Sequence, residues 1–439
     1  MESGRQDWED PAYAKAMSAM LRHMSGSQFV SGRVKRLGVA VSGGSDSMAL
    51  LDLMHWSSRE YGFELFAVTV DHGLRAEARE EAARVSAYCT DAGISHDVLV
   101  WDGWDGRGNL QGRARRARYE LIAEWAKSRN IDRVALGHTE DDQAETVVMR
   151  LARKSGVDGL SAMERRVERD GVTWVRPLLA ASREDLRVYL RSQKISWSED
   201  PSNEDDTFER VRARKALATL NEAGVNAQAL ASVASNAQSA RWALEHYAWR
   251  EVMENPAIEI IDGDIVFPEN FLTPEGQIPY EVGRRLMSAA FRWISGAEYP
   301  PRQSAFVEMD AAMIDTDKHT LGGCFVTRLH GERPIENKLR ITREYNTVKD
   351  HVTPTDVLWD GRWVLDGPHS ADLEIRALGE ALKEVPDWRK SGVPRVSLLA
   401  SPSVWRGDEL VSAPLAGFEN GWTAKATGRG RFSQFLLSR

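Results

Sequence analysis

The chain has 439 residues, of which 42% are hydrophobic and 28% charged; at roughly 100–200 residues per domain it holds two to four cores, and whole-chain disorder is excluded. A formal net charge of −8, from 57 Lys and Arg against 65 Asp and Glu, argues against a protein that coats nucleic acid through bulk basicity. With only Cys89 and Cys324, some 235 positions apart, there is neither a disulfide framework nor a CxxC pair for metal or sulfur, so any chemistry is expected to be thiol-free.

The first residues, MESGRQDWEDPAY, carry acids and a Pro where a secretory leader needs a basic start and an apolar stretch. No apolar run approaches the roughly 18–20 residues that cross a bilayer. A soluble, cytoplasmic protein without membrane contact is expected. The spacing of Tyr13, Met17, Met20 and Leu21 predicts a helix over 12–24, and Leu37 to Val41 reads as a buried strand that ends in SGGSDS and passes into a helix through Tyr61. Phe63 to Val70 is a second strand, ending at Asp71-His72-Gly73. Helices over 77–91, 110–129 and 141–154 alternate with strands over 97–101, 133–136 and 174–179, and Ser182 suits the N-cap of a helix reaching Gln193. This alternation predicts an α/β fold with a parallel, Rossmann-like sheet that binds ligands at the carboxyl ends of its strands.

After about residue 200 the alternation stops. Helices are expected over 205–223 and 227–253, mixed elements over 254–345, and short strands with turn glycines from about Thr355. The expected division is a catalytic domain over 1–219, a helical and mixed middle domain over 220–345, and a small mostly-β domain over 346–439. In the last of these, Trp359, Trp363, Trp388, Trp405 and Trp422 suit a core, while Arg362, Arg389, Lys390, Arg395 and Arg406 among them would also suit an RNA surface.

Two loops at strand ends carry the chemistry. In Ser42-Gly43-Gly44-Ser45-Asp46-Ser47, two glycines allow a tight turn that aims successive N–H groups at an anion, helped by the following helix N-terminus, which makes a nucleotide-phosphate cradle. The Walker pattern GxxxxGK[ST] is absent, so no loop lysine grips the outer phosphates. In LGHTEDDQAET, Asp142 and Glu145 lie three apart and Asp141 and Glu145 four apart, so on a helix their carboxylates share a face, where helix capping alone would also favour acids. His138, at the same strand end, could contact nucleotide or base, or be held within the loop. Two basic segments stand out on this acidic chain: RGNLQGRARRAR, with Arg115 and Arg118, and RVRARK, with Arg210, Arg212 and Arg214.

The first loop resembles the SGGxDS loop of the N-type ATP pyrophosphatases, the PP-loop enzymes. The second is similar to the LGHxxDDQAET signature of the tRNA(Ile)-lysidine synthetase family, departing from its typical form at Thr139 and Glu140. Asn109-Leu110-Gln111 with Arg115, Arg118 and Tyr119 resembles that family's NLQxxARxxRY element. Asp200-Pro201-Ser202-Asn203 with Phe208, Arg210, Arg212 and Arg214 resembles its DPSNxDxxFxRxRxR element. The resemblance is specific over 42–214 and holds only in outline afterwards. It implies cleavage of ATP between the α- and β-phosphates, with AMP placed on the wobble cytidine of an isoleucine tRNA carrying a CAU anticodon and then displaced by free L-lysine. Asp46 is implied as the Mg²⁺ or pyrophosphate residue; Ser42 to Ser47, Asp71, His72 and His138 as the ATP site; and Asp141, Asp142 and Glu145 as the lysine site, one of them a general base. Arg115 and Arg118 are implied either in stabilising charge during the reaction or in tRNA contact, and Arg210, Arg212 and Arg214 in tRNA contact. No protein partner is required, and a homodimer is left open. The lysine ε-amine, with a reference pKa of about 10.4, must lose its proton to attack, which is why carboxylates are expected beside it. Rival readings are a thiolating relative, which needs cysteine pairs; an amidating enzyme of the GMP-synthetase kind, which needs a glutaminase domain; and a silent tRNA-binding protein that keeps the fold.

Overall fold

The computed structural model describes residues 11–24, 34–71, 73, 77–101, 110–199, 209–269, 278–333 and 336–437. The chain divides into two compact units that meet in sequence at Arg241/Trp242.

The first unit is built on α1 (Pro11–Met24), β1 (Arg36–Ala40), α2 (Ser45–Tyr61), β2 (Glu64–Asp71), α3 (Glu77–Ala92), β3 (Ser95–Val100), α4 (Leu110–Ser128), β4 (Arg133–Leu136) and α5 (Glu140–Ala152). It continues through α6 (Val157–Leu160), β5 (Arg166–Arg169), β6 (Val172–Val175), α7 (Arg183–Ser192) and α8 (Glu209–Glu222) into α9 (Ala227–Glu254), within which the unit boundary falls. Among the described residues the strands form one sheet in the order β3-β2-β1-β4-β6-β5, parallel except for the β5–β6 pair. Leu37 and Val39 of β1 bury against Leu50, Leu53 and Met54 of α2, with α1 and α7 on the same face. On the other face, Ile122, Trp125 and Ala126 of α4 cover Val134 and Trp174. Each such fully buried aliphatic side chain contributes about 1.5–3 kcal/mol, so the two-sided burial explains why these strands read as apolar runs without alternation. Chain order runs outward from β1 to β3, then returns to place β4 on the other side of β1. The β1/β4 pair is therefore the switch point, where a parallel sheet opens a crevice at its carboxyl edge.

The expected strand over 174–179 stops at Val175, because Pro177 has no N–H to extend the ladder. Its partner β5 was not expected. Asp170 (φ 55°) and Gly171 (φ 73°) form a two-residue left-handed turn between them, and the Asp-Gly pair between strand-like runs is the signal that marks such a hairpin.

In the second unit, β7 (Glu259–Ile261), β8 (Asp264–Pro268), β9 (Lys318–Leu321), β10 (Cys324–Leu329) and β11 (Lys338–Arg343) form an antiparallel sheet in the order β7-β8-β11-β10-β9. Leu286, Phe291 and Ile294 of α10 (Tyr280–Ser295) belong to its core. Short strands of the tail follow, among them Glu374–Ala377 and Pro402–Arg406, around a core containing Trp359, Trp363 and Trp422. These three tryptophans are packing residues. The compact units do not break at 219/220 or at 345/346. Leu230 and Ala234 of α9 pack on Ala144 and Val147 of α5. Across 345/346, Phe432 enters the core of the β7–β11 sheet, Arg343 pairs with Asp360 at 3.0 Å, Arg362 Nη1 donates to the Gly263 carbonyl at 2.9 Å, and Ser397 Oγ donates to Asp264 at 2.6 Å. Among the described residues no helix is long and apolar enough to cross a membrane.

Candidate active site

The loop after β1 turns at Gly43, whose φ of +86° suits glycine, and Gly44 then serves as the N-cap of α2. Glycine has no side chain to satisfy the first N–H groups of the helix, so they remain available to an anion at the positive end of the helix dipole. The loop is braced from within. Ser47 Oγ accepts from the Ser42 N–H (3.1 Å) and donates to the Gly44 carbonyl (3.0 Å), while the Ser198 N–H donates to the Gly43 carbonyl at 2.9 Å. Ser45 Oγ donates to Asp46 Oδ1 at 3.1 Å.

The end of β4 approaches this loop through Gly137, where a Cβ would lie 3.1 Å from the Asp46 carbonyl and the Ser47 Cα. No larger residue fits without moving backbone. The next turn begins α5, capped by Thr139: its hydroxyl accepts from the Asp142 N–H, and Asp142 Oδ2 accepts from the Thr139 N–H at 2.9 Å. Thr139, where the sequence departs from the signature it resembles, is thus a capping-box residue. Thr139→Ala is expected to cost about 1 kcal/mol in denaturant unfolding; an unchanged midpoint would show that the cap contributes nothing. The Glu140 N–H donates to the Ala181 carbonyl at 2.9 Å.

The guanidinium of Arg183, the first residue of α7, gathers three of the expected acids. Its Nε donates to Asp46 Oδ2 at 3.0 Å, Nη2 to Asp142 Oδ1 at 3.2 Å, and Nη1 lies 3.5 Å from Glu145 Oε1. The Arg183 backbone N–H is taken by Asp141 Oδ2 at 2.6 Å. Glu145, with 1% of its side chain exposed, also accepts from Arg214 Nε at 2.9 Å, and its Oε2 is buried with no hydrogen-bond partner among the described residues. Burial pulls Arg183 toward its neutral form, but Asp46, Asp142 and Glu145 more than offset this and raise its pKa. Burial raises Asp46 above the usual carboxylate range, with Asp142 adding to it and Arg183 opposing. Burial acts the same way on Asp142, yet Arg183, His138, Arg210 and the Thr139 N–H together hold it below that range.

Beside the acids lies a cluster of arginines around Tyr119 and His138. The Tyr119 ring, edge-on to Trp174 at 4.6 Å, faces the guanidinium carbons of Arg115 (5.7 Å), Arg118 (5.9 Å) and Arg169 (5.2 Å). Arg176 Nε donates to His138 Nδ1 at 3.2 Å and its Nη1 to the Glu164 carbonyl at 2.7 Å. Burial, with Arg176, Arg118 and Arg210 acting the same way against Asp142, pushes the His138 pKa down to about 3, so the imidazole is neutral at pH 7.

The structure therefore brings Asp46, Asp142 and Glu145 together, with His138, Arg118 and Arg210 close by. Arg115 is exposed on α4. On α8, Arg210 and Arg214 share the face toward the acids, four residues apart, while Arg212 turns outward and is exposed. Asp71, at the end of β2, accepts from the Gly73 N–H at 2.8 Å in a local turn. His72, Asn109 and the segment 200–208 lie outside the described residues. Sequence reasoning missed Arg183 and Arg176. A signal for the first existed: a cation in the first turn of a helix opposes the dipole, a local conflict that points to a tertiary partner. Both cysteines are buried, and burial pushes Cys89 up to about 11 and Cys324 to about 12, far from a reactive thiolate at pH 7.

Residues 17–220 match the PP-loop domain family. The chain is 47% identical to the tRNA(Ile)-lysidine synthase of Ruegeria pomeroyi over 415 residues, covering 94% of this chain and 96% of that protein. The tRNA(Ile)-lysidine synthase of Brucella anthropi is 34% identical over 403 residues, 86% of this chain and 85% of its own length. That of Wolbachia pipientis wMel is 32% identical over 394 residues, 86% and 88% of the two chains. Similarity of this extent reaches well beyond the phosphate loop and the acid cluster into the second unit, and the chain belongs to the tRNA(Ile)-lysidine synthase family.

Proposed function

We propose that the protein ligates free L-lysine to the wobble cytidine of the CAU anticodon of isoleucine tRNA in the cytoplasm, through an adenylated cytidine, releasing AMP and pyrophosphate and moving codon specificity from AUG to AUA. The observation that carries this reading is the convergence of Asp46, Asp142 and Glu145 on one guanidinium at the switch point, with a buried Glu145 oxygen that has no donor among the described residues. A buried acceptor without a partner fits a ligand that brings its own N–H, and an alkylammonium does so with three.

The glycine turn and the uncapped start of α2 take the polyphosphate, and the cytidine oxygen attacks the innermost phosphorus as pyrophosphate leaves. Asp46, a hard oxygen donor beside this cradle, fits a Mg²⁺ ion, which takes one or two carboxylates and otherwise phosphate oxygens and water. When bound, that cation neutralises polyphosphate charge. Lysine then enters beside Asp142 and Glu145. One of these carboxylates accepts the ammonium proton, and the free amine attacks the activated carbon, expelling AMP. The second unit grips the tRNA body, since choosing one cytidine requires contacts beyond that base.

Incubating the protein with ATP, Mg²⁺, labelled lysine and an isoleucine tRNA transcript with the CAU anticodon is expected to give lysine incorporation that depends on both ATP and that tRNA, with AMP and pyrophosphate as products. ADP and orthophosphate instead would refute the reading. The two neighbouring arginines divide by position. Arg115→Ala, an exposed change, is expected to weaken tRNA binding and reduce its salt dependence by about one phosphate contact. Arg118→Ala is expected to lower the single-turnover rate at saturating tRNA by about tenfold or more, as loss of a cation near the reacting groups should. The reverse pattern would exchange their roles.

A further inference from the structure

We propose that Arg176 is a positioning residue that fixes His138 as the tautomer protonated at Nε2, so that His138 acts as a hydrogen-bond donor to an oxygen gaining negative charge and not as the base that deprotonates lysine. The inference rests on the lysine-ligating reading for its second half only; the tautomer stands on geometry.

An arginine Nε carries a proton and has no lone pair to offer, so its contact with His138 Nδ1 at 3.2 Å makes Nδ1 the acceptor. A neutral imidazole with Nδ1 accepting holds its one proton on Nε2. Arg176 cannot easily move from this position. Its Nη1 is spent on the Glu164 carbonyl at 2.7 Å, and Glu164 is held in turn by Arg241 Nη2 at 2.6 Å. Both Arg176 and His138 are buried, and the His138 N–H donates to the Leu136 carbonyl at 3.0 Å, which fixes the backbone from which the ring projects. Burial, with Arg176, Arg118 and Arg210 acting the same way against Asp142, keeps the ring neutral. Nδ1 is thus occupied and Nε2 is protonated, so the ring has no free lone pair for an ammonium proton. Proton removal falls to Asp142 or Glu145. What His138 offers is a single N–H beside Arg176, Arg118 and Arg210, with the Asp142 carboxylate also acting on the ring, suited to a phosphoryl oxygen of the nucleotide or to the pyrimidine oxygen on which AMP is placed.

The full-length protein labelled with ¹⁵N-histidine decides the tautomer without any activity. Long-range proton–nitrogen spectra, with His138 assigned by its loss in His138→Gln, should show Nδ1 unprotonated and Nε2 protonated. A proton on Nδ1 in the unsubstituted protein would overturn the proposal, and if His138→Gln folds poorly the same ring is assigned in the unsubstituted protein through its own backbone resonances. Arg176→Gln should abolish the single fixed tautomer, and a spectrum that kept it would also count against the proposal. A non-hydrolysable ATP analogue alone should shift the Nε2–H signal if the acceptor is a phosphate, whereas a shift requiring tRNA as well means the base oxygen; no shift with both present rejects the donor role. In single-turnover assays, Arg176→Gln should lower the rate by about a hundredfold with little change in KM for ATP or lysine, and Arg176→Lys should restore part of it. His138→Gln, which keeps an N–H near the Nε2 position, should retain more activity than His138→Asn, and the opposite order would overturn the proposal. If the unsubstituted protein released ADP while the Nε2 tautomer was observed, the ligase reading would fail and the positioning of His138 would stand.

Discussion

Replacing Arg183 with Leu should lower stability by about 3 kcal/mol at neutral pH, because it leaves Asp46, Asp142 and the fully buried Glu145 facing one another with, among the described residues, only Arg214 as a direct counter-charge. The loss should depend on pH in a defined sense. Asp142 is held below the usual carboxylate range in the folded chain, burial opposing and Arg183 leading the groups that favour its ionised form. A depressed carboxyl pKa contributes stability that is present above the unfolded value of about 3.9 and lost as pH falls through the folded value. Without Arg183 that contribution disappears, and Asp46, already raised by burial, rises further. The deficit of Arg183→Leu should therefore be largest near pH 7 and shrink as the pH falls below about 4 toward the lower folded value of Asp142, beneath which the carboxyls are protonated in folded and unfolded chains alike. Urea titrations of both proteins at several pH values measure this. A deficit that did not vary with pH would mean that Arg183 stabilises by packing and not by charge.

Asp46→Ala should reduce AMP and pyrophosphate formation by about a thousandfold or more, the scale on which a charge-stabilising group at a reacting centre acts. Asp46 lies in the first turn of α2, where its carboxylate meets both the phosphate cradle and Arg183. Its removal takes one partner from a guanidinium that keeps two others, so folding should be little affected and tRNA affinity unchanged. Release of AMP within about tenfold of the unsubstituted rate would place the essential carboxylate elsewhere.

How much of this site could be read in advance differs by residue. Ser42 to Ser47 and Asp142 with Glu145 were legible because each set is contiguous in sequence and lies between a strand and a helix, so local geometry alone puts their backbone and side chains at the sheet edge. The role of Thr139 was not read from the sequence, although threonine three residues before an acid at a helix start is a capping pattern. The tail tryptophans were open between packing and RNA contact, because composition cannot say which way a ring faces; Trp359, Trp363 and Trp422 face inward. The β5–β6 hairpin was signalled by Asp170-Gly171 and still missed, because the apolar run through Leu179 read as one longer strand.

By itself, then, the sequence determined the alternating α/β order, the glycine turn at a strand end and the paired acids, all of which depend on neighbours a few residues apart. Only the tertiary structure decided that Arg183, 137 positions from Asp46, would close the acid cluster, that Arg176, 38 positions from His138, would set its protonation, and that residues on both sides of 345/346 would share a core. The physical reason is that a buried charge or ring nitrogen takes whichever partner the packing brings within 3 Å or so, and the packing joins side chains whose separation along the chain carries no periodic signal.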